Sequence, residues 1–148
     1  MAYCLMPNHF HILIAVRQNY SSSEEEISKP IQDSIAIILR SYTRAINKKF
    51  DRTGSLFQMG TKAKNTEDYA FECFHYIHQN PFRSKLVDSL DKWEFSSFLD
   101  YSDARNGTLC NKAVAYELLD ISPDPDKFKE LSYAVIADSF TGWFEANK

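Results

Sequence analysis

One stretch near the N-terminus decides the fold, and it reads Ala2-Tyr3-Cys4-Leu5-Met6-Pro7-Asn8-His9-Phe10-His11-Ile12-Leu13-Ile14-Ala15-Val16. Aromatic and branched residues are typical of β-strands, and here they lie on both sides of the turn-forming pair Pro7-Asn8. We therefore predict a β-hairpin. Longer segments with helical periodicity follow it, so the predicted class is α+β, with an antiparallel sheet and helices packed on it.

The second strand carries a pair of histidines. Side chains alternate between the two faces of a strand, so His9 and His11 project to one side with Cα atoms about 6.6–7 Å apart, close enough to bind one metal ion. The opposite face, which includes Phe10 and Ile12, is wholly apolar, and we predict that it anchors the strand in the core. Two such histidines are more often a polar strand face than a metal site, and a metal site needs a third ligand.

Two longer helices are predicted after the hairpin. The first extends to about Lys49, because apolar residues recur at helical spacing along its core-facing stripe, at Ile31, Ile35, Ile38, Tyr42, Ala45 and Ile46. The polar segment 20–30 before it is predicted to be an exposed loop. The second helix is predicted to begin at Thr66, a good N-cap residue, and to end near Asn80, because the following residue is a proline. A short strand at 55–58 and helices at 113–119 and 125–144 complete the expected elements.

Composition limits the class of protein. The 148 residues, of which 44% are hydrophobic, suit one compact domain. The longest aliphatic run, residues 35–39, is far shorter than the roughly 20 apolar residues that span a bilayer, so no membrane partner is predicted. The three cysteines form no Cys-x-x-Cys pair, which disfavours a disulfide framework. A cytoplasmic location is the expectation.

Charge is distributed unevenly along the chain. Residues 1–87 contain 11 basic and 8 acidic side chains, whereas residues 88–148 contain 6 basic and 12 acidic ones. Within residues 40–64 there are seven basic side chains and one acidic side chain. Such a block binds polyanions, including nucleic acid, by contacting phosphates. The alternative is a solvated helix face without a ligand.

A second group of reactive residues is Tyr76-Ile77-His78-Gln79-Asn80-Pro81. At 100° per residue, Tyr76 and Asn80 lie about 40° apart at the edge of the core-facing stripe, where a phenol and a carboxamide can border one cleft. The simpler interpretations are a tyrosine packed at a core edge and a helix-end asparagine. The side chains of His75 and His78 point away from this edge of the helix and are predicted to face solvent or DNA.

Three motifs in this order resemble one protein family. They are Met6-Pro7-Asn8-His9-Phe10-His11, then Tyr76-Ile77-His78-Gln79-Asn80-Pro81, then Trp93-Glu94-Phe95-Ser96-Ser97. Together they are similar to the single-tyrosine HUH transposases, specifically the insertion-sequence-200-like and REP-associated tyrosine transposase family. The resemblance covers about residues 2–101 and implies a ferredoxin-like core. Family members usually carry a strand and a helix before the first motif, so residues 1–101 are predicted to be an N-terminally shortened transposase domain, and residues 102–148 an acidic helical extension.

The resemblance also implies a reaction on single-stranded DNA. His9, His11 and Asn80 correspond to the ligands of a divalent metal, Mg²⁺ or Mn²⁺. Tyr76 corresponds to the nucleophile, which forms a 5′-phosphotyrosine link near a DNA hairpin and releases a 3′-hydroxyl. DNA contacts are expected at the basic residues Arg40, Arg44, Lys48, Lys49, Arg52, Lys62, Lys64 and Arg83.

Other functions remain open at this point. A shortened transposase can bind hairpin DNA without cutting it, because a missing strand misplaces the site. A zinc hydrolase using the histidine pair with Asn80 or His78 is a third possibility. The missing strand would also leave a sheet edge uncovered, which favours aggregation or a homodimer.

Overall fold

The computed structural model describes residues 1–16, 23–57 and 61–134. Its elements are strands β1 (Ala2–Leu5) and β2 (Phe10–Leu13) and helices α1 (Glu24–Lys49), α2 (Ala70–Arg83), α3 (Phe98–Tyr101), α4 (Lys112–Leu119) and α5 (Pro125–Tyr133). Short 3-10 turns occur at Glu67–Tyr69 and Leu90–Lys92. The α+β class is confirmed. The ferredoxin-like core stays a prediction.

The predicted hairpin is present. β1 and β2 pair antiparallel, with Leu5 opposite Phe10, and the Met6 amide donates to the His9 carbonyl at 2.8 Å across the turn. On its other edge, β1 bonds to the segment after Trp93: the Leu5 amide donates to the Phe95 carbonyl. β1 therefore has hydrogen-bonded neighbours along both edges, and within the described ranges the histidine strand β2 pairs with β1 alone.

The face of this sheet that is buried is not the one predicted to be buried. Ala2 and Cys4, on the same side as His11, are buried in one core cluster with Phe74 of α2. On the other side Ile12 is 47% exposed, so the prediction that the Phe10 and Ile12 face anchors the strand in the core is wrong. The physical reason is the position of α2, which packs on the face that carries the histidines.

Helix α2 passes through a proline. The helix continues to Arg83 with Pro81 inside it, so the predicted end near Asn80 is wrong. Proline removes one amide donor and its ring crowds the carbonyl four residues earlier, yet the helix continues for two more residues. The chain after it bonds back to the last turn, where Asn80 O accepts from Ser84 N and Pro81 O from Leu86 N, both at 2.9 Å. The N-cap at Thr66 is also wrong in detail, because Thr66 makes no side-chain cap bond and only precedes a 3-10 turn.

The chain divides into two compact units, Met1–Val16 with Thr66–Lys148, and Arg17–Asn65. Within the second unit, α1 begins at Glu24 with a capping box between Ser23 and Glu26. The predicted loop 20–30 is therefore helical from Glu24 onward, while residues 20–22 lie outside the described part. The domain boundary predicted at residue 101 follows the extent of the resemblance and stays a prediction.

Two further expectations for the second unit fail. Tyr42 was expected in a core but is 55% exposed. Its ring meets that of Phe57, with centroids 6.4 Å apart, which is too little contact to bury it. Residues 55–57 form no strand, and the last residue of that predicted strand, Gln58, lies outside the described residues.

Helices α4 and α5 close the core of the first unit. Asn111 caps α4 and Asp124 caps α5, each through its side-chain oxygen. The helix predicted at 113–119 is confirmed, and that at 125–144 is present to Tyr133, beyond which residues 135–144 lie outside the described part. No helix among the described residues is long and apolar enough to cross a membrane.

A buried ion pair fixes the segment beside β1. Asp100 is buried and accepts from Arg105 Nε at 2.7 Å and from a terminal guanidinium nitrogen at 2.9 Å. The same Arg105 nitrogen donates to the Tyr3 hydroxyl and to the Ser96 carbonyl, both at 2.8 Å. The pKa of Arg105 is raised, chiefly by its hydrogen bond to Asp100. This network holds the 96–105 segment against β1.

Candidate active site

The two histidines lie together at the start of β2. The ring centroids of His9 and His11 are 4.9 Å apart, and the Nε2 atom of each ring is buried. His9 Nδ1 lies 2.6 Å from Asn8 Oδ1. Because a carboxamide oxygen only accepts, His9 donates from Nδ1 and carries its lone pair on Nε2, the form that binds metals. Asn8 was expected only to form the turn with Pro7, and its contact with the His9 ring was not predicted.

Helix α2 brings Tyr76 to this pair. The ring centroids of His11 and Tyr76 are 6.3 Å apart, in an edge-on arrangement. The two residues are 65 positions apart in the sequence, so only the packing of α2 on the sheet explains their contact. The phenol that corresponds to the family's nucleophile and the histidine pair thus lie close together.

Asn80 lies one turn after Tyr76. Its side chain is buried, and its amide nitrogen donates to the Tyr76 carbonyl at 3.4 Å. That bond turns the nitrogen toward its own helix, which makes Oδ1 the candidate cation ligand. As a set of ligands, two imidazole nitrogens and one amide oxygen suit Mn²⁺ better than Mg²⁺, because Mg²⁺ prefers oxygen ligands.

Tyr76 and Asn80 are buried more deeply than predicted. Every side chain from Cys73 to Pro81 is buried, so the helix has no exposed edge at this point, and Tyr76 itself is only 2% exposed. Any phosphodiester that reaches the phenol must first displace the side chains above it.

His75 and His78 are in the core, so their predicted solvent- or DNA-facing role is wrong. His75 Nδ1 lies 3.1 Å from Ser132 Oγ, and the ring of each histidine packs on Phe128 of α5. Burial lowers the pKa of His75 to about 4 and that of His78 to about 3. Both are neutral at physiological pH. The prediction failed because nothing in the α2 sequence indicates that α5 covers this side.

Ser97 connects α2 to the sheet. Its hydroxyl lies 2.7 Å from His78 Nε2, and it also accepts from the Tyr3 amide at 2.9 Å. His78 is in the helix that carries Tyr76, and Tyr3 is in the strand paired with β2. This bridge therefore fixes the helix relative to the histidine strand. Both His78 and Ser97 belong to the motifs noted above, but the sequence alone did not indicate that they meet.

The predicted DNA contacts fall on both units. Arg83 is exposed at the end of α2, and its guanidinium carbon lies 6.0 Å from the Tyr76 ring centroid. The other seven belong to the unit Arg17–Asn65, where all are exposed: Arg40, Arg44, Lys48, Lys49, Arg52, Lys62 and Lys64.

Among the described residues no three side chains of the types His, Cys, Asp and Glu form a group able to hold a metal. The third ligand that the resemblance implies for the histidine pair is the carboxamide of Asn80. A zinc hydrolase, which needs strong ligands and a general base, gains no support from these residues.

No family model matches the chain, and neither a curated protein nor a solved structure is significantly similar to it. What the geometry itself defines is an α+β unit in which a histidine pair on a hairpin meets a tyrosine on a helix. The transposase resemblance remains a prediction based on the three motifs.

Proposed function

We propose that this chain is a metal-dependent, HUH-type transposase that cuts and rejoins single-stranded DNA at hairpins, with Tyr76 as its nucleophile. One observation carries the proposal: Tyr76 lies against His11, with ring centroids 6.3 Å apart, although the motifs that contain them are far apart in sequence. Arg83 adds a positive charge beside the same ring. The order of the three motifs supports the same conclusion.

The chemistry follows from the groups present. Tyr76 Oη attacks the phosphorus, the bond from phosphorus to O3′ breaks, the phenolic proton passes to solvent, and the departing O3′ gains a proton. The 5′-phosphate stays on Tyr76, and because this link conserves the phosphodiester energy, a second 3′-hydroxyl can reverse the step. A phenol with a pKa of about 10 is a poor nucleophile at neutral pH. A divalent cation held by His9, His11 and Asn80 would offset the phosphate charge.

A specific observation favours a second candidate function. Tyr76 is 2% exposed, so a chain in which the covering side chains do not move would bind hairpin DNA without cutting it. The basic residues of the unit Arg17–Asn65 would be retained in either case. Such a protein would show salt-sensitive DNA binding and no covalent product.

A covalent trapping assay separates the two candidates. The protein is incubated with Mn²⁺ and a labelled hairpin-bearing single strand, then denatured and separated by electrophoresis. The transposase proposal predicts an adduct that is lost in Tyr76→Phe, which keeps the ring beside His11, and is retained in Tyr42→Phe, the matched change at an exposed tyrosine. An adduct in Tyr76→Phe would reject the assignment. Salt-sensitive binding without any wild-type adduct would establish the non-cutting candidate instead.

A further inference from the structure

An open surface cavity of about 750 Å³ lies where α2 ends. Its walls are Phe82 and Arg83, from the last turn of the helix, and Lys85, Leu86 and Lys92, from the chain that follows. None of these residues except Arg83 has a role in the site described above. It is a shallow, open depression, so a ligand bound in it would keep one side in solvent.

The cavity has an aromatic wall held in place. Phe82 is 41% exposed, and its ring meets that of Tyr133 edge-on, with centroids 6.1 Å apart. Tyr133 is fixed in turn, because its hydroxyl accepts from the Leu90 amide at 2.9 Å. A half-exposed phenylalanine with a rigid neighbour is a platform on which a planar ring can stack.

The charge of the cavity is positive. Its acidic residue, Asp88, pairs with Lys92 at 2.6 Å. Arg83 and Lys85 are exposed, and neither forms an ion pair with any residue of the described ranges. The turn that presents them is ordered: Lys85 has a left-handed backbone with φ 57°, and its amide donates to the Phe82 carbonyl at 3.0 Å.

Arg83 joins this cavity to the candidate active site. It lines the cavity, and its guanidinium lies 6.0 Å from the Tyr76 ring centroid. Tyr76 and Arg83 are seven residues apart, about two helical turns, and so lie on the same side of α2. A DNA strand whose phosphate reaches Tyr76 can therefore place a neighbouring nucleotide at the cavity.

We propose that this cavity binds one unpaired nucleotide of the DNA strand, next to the phosphodiester that Tyr76 attacks. The base stacks on Phe82, and the phosphates contact Arg83 and Lys85. This combination of an aromatic platform and a basic groove is how proteins hold single strands with little sequence preference. The inference rests on the proposed function, because it takes the ligand to be the DNA substrate.

The test measures binding without requiring cleavage. Tyr76→Phe protein is titrated, without metal, into a single-stranded oligonucleotide that contains 2-aminopurine, a base whose fluorescence is quenched by stacking. Phe82→Leu added to this protein should abolish the quenching and weaken binding by about 5- to 100-fold. Arg83→Gln should reduce the salt dependence of binding by about one phosphate contact. Phe95→Leu is the matched control, because Phe95 is 51% exposed and lies outside the cavity.

The outcomes separate the two proposals. Unchanged quenching and affinity in Phe82→Leu, in a protein whose circular dichroism is normal, would overturn the nucleotide site even if wild-type protein forms the Tyr76 adduct. Loss of quenching in Phe82→Leu alone supports the site. If that loss occurs while wild-type protein yields no adduct, the cleavage proposal fails and the nucleotide site stands.

Discussion

Acid should destabilise this protein through two histidines that flank Tyr76 in the sequence. His75 and His78 are buried against Phe128, and burial lowers the pKa of each below the ordinary value of 6.5, to about 4 and about 3 respectively. The folded state therefore keeps both rings neutral at pH 5, whereas the unfolded chain protonates them. Because the unfolded state binds more protons, stability must fall as the pH falls.

The size of the effect follows from these values. The part of the free energy of unfolding that depends on neutral His75 and His78 is present in full above pH 6.5. It is lost as the pH falls from 6.5 to the folded pKa values of about 4 and about 3. When the pH is lowered from 8 to 5, each histidine lowers the free energy of unfolding by about 2 kcal/mol, and the pair lowers it by about 4 kcal/mol. Total stabilities of small domains are about 5–15 kcal/mol. Acidification to pH 5 should therefore remove between about a quarter and four fifths of a stability in that range.

Urea denaturation followed by circular dichroism at pH 8, 6.5 and 5 measures this loss. His78→Phe keeps a ring in the core but cannot titrate, so it should lower the difference in unfolding free energy between pH 8 and pH 5 by about 2 kcal/mol. The quantity to compare is how the free energy of unfolding changes with pH, and not its value at one pH, because the variant also loses the hydrogen bond between His78 and Ser97. An equal pH dependence in wild type and His78→Phe would refute the reasoning.

Two further changes test the fold. Asp100→Ala should lower the free energy of unfolding by about 2 kcal/mol, because it removes the buried carboxylate to which Arg105 donates two hydrogen bonds. The control is Asp103→Asn, which removes the charge of a mostly exposed carboxylate and keeps a side chain that tolerates the left-handed backbone there, with φ 58°. It should change the free energy of unfolding by less than about 0.5 kcal/mol, and equal effects in urea would contradict the role of the pair. Ile12→Thr should leave stability within about 0.5 kcal/mol and reduce self-association, because Ile12 is 47% exposed. A loss of several kcal/mol would mean that this face is covered.

The elements predicted correctly are those set by short-range chemistry. The hairpin follows from Pro7-Asn8 between branched residues, and α4 from a short apolar segment that begins just after Asn111, whose side chain caps it. The contact between His11 and Tyr76 is different. Composition and periodicity do not reveal it, and only the resemblance of the motifs led us to expect these residues in one site.

The wrong predictions concern which faces are buried. A wholly apolar strand face normally enters a core, yet here the face with His11 is covered, because α2 packs on it. His75 and His78 were predicted to be exposed because the periodicity of α2 takes no account of Phe128, which lies 50 or more residues later in the sequence. Burial of this kind depends on contacts between distant segments, and these contacts cannot be inferred from the sequence of a single helix.

The central claim, that one divalent cation site joins the histidine pair to Tyr76, is tested most directly by NMR. Protein with labelled histidine and tyrosine rings is titrated with substoichiometric Mn²⁺, whose unpaired electrons broaden nearby signals. We expect His9, His11 and Tyr76 to broaden first, at Mn²⁺ concentrations lower than those that broaden Tyr116, which packs on Tyr101 farther into the core. Sharp signals from His9, His11 and Tyr76, with broadening confined to other residues, would contradict the account.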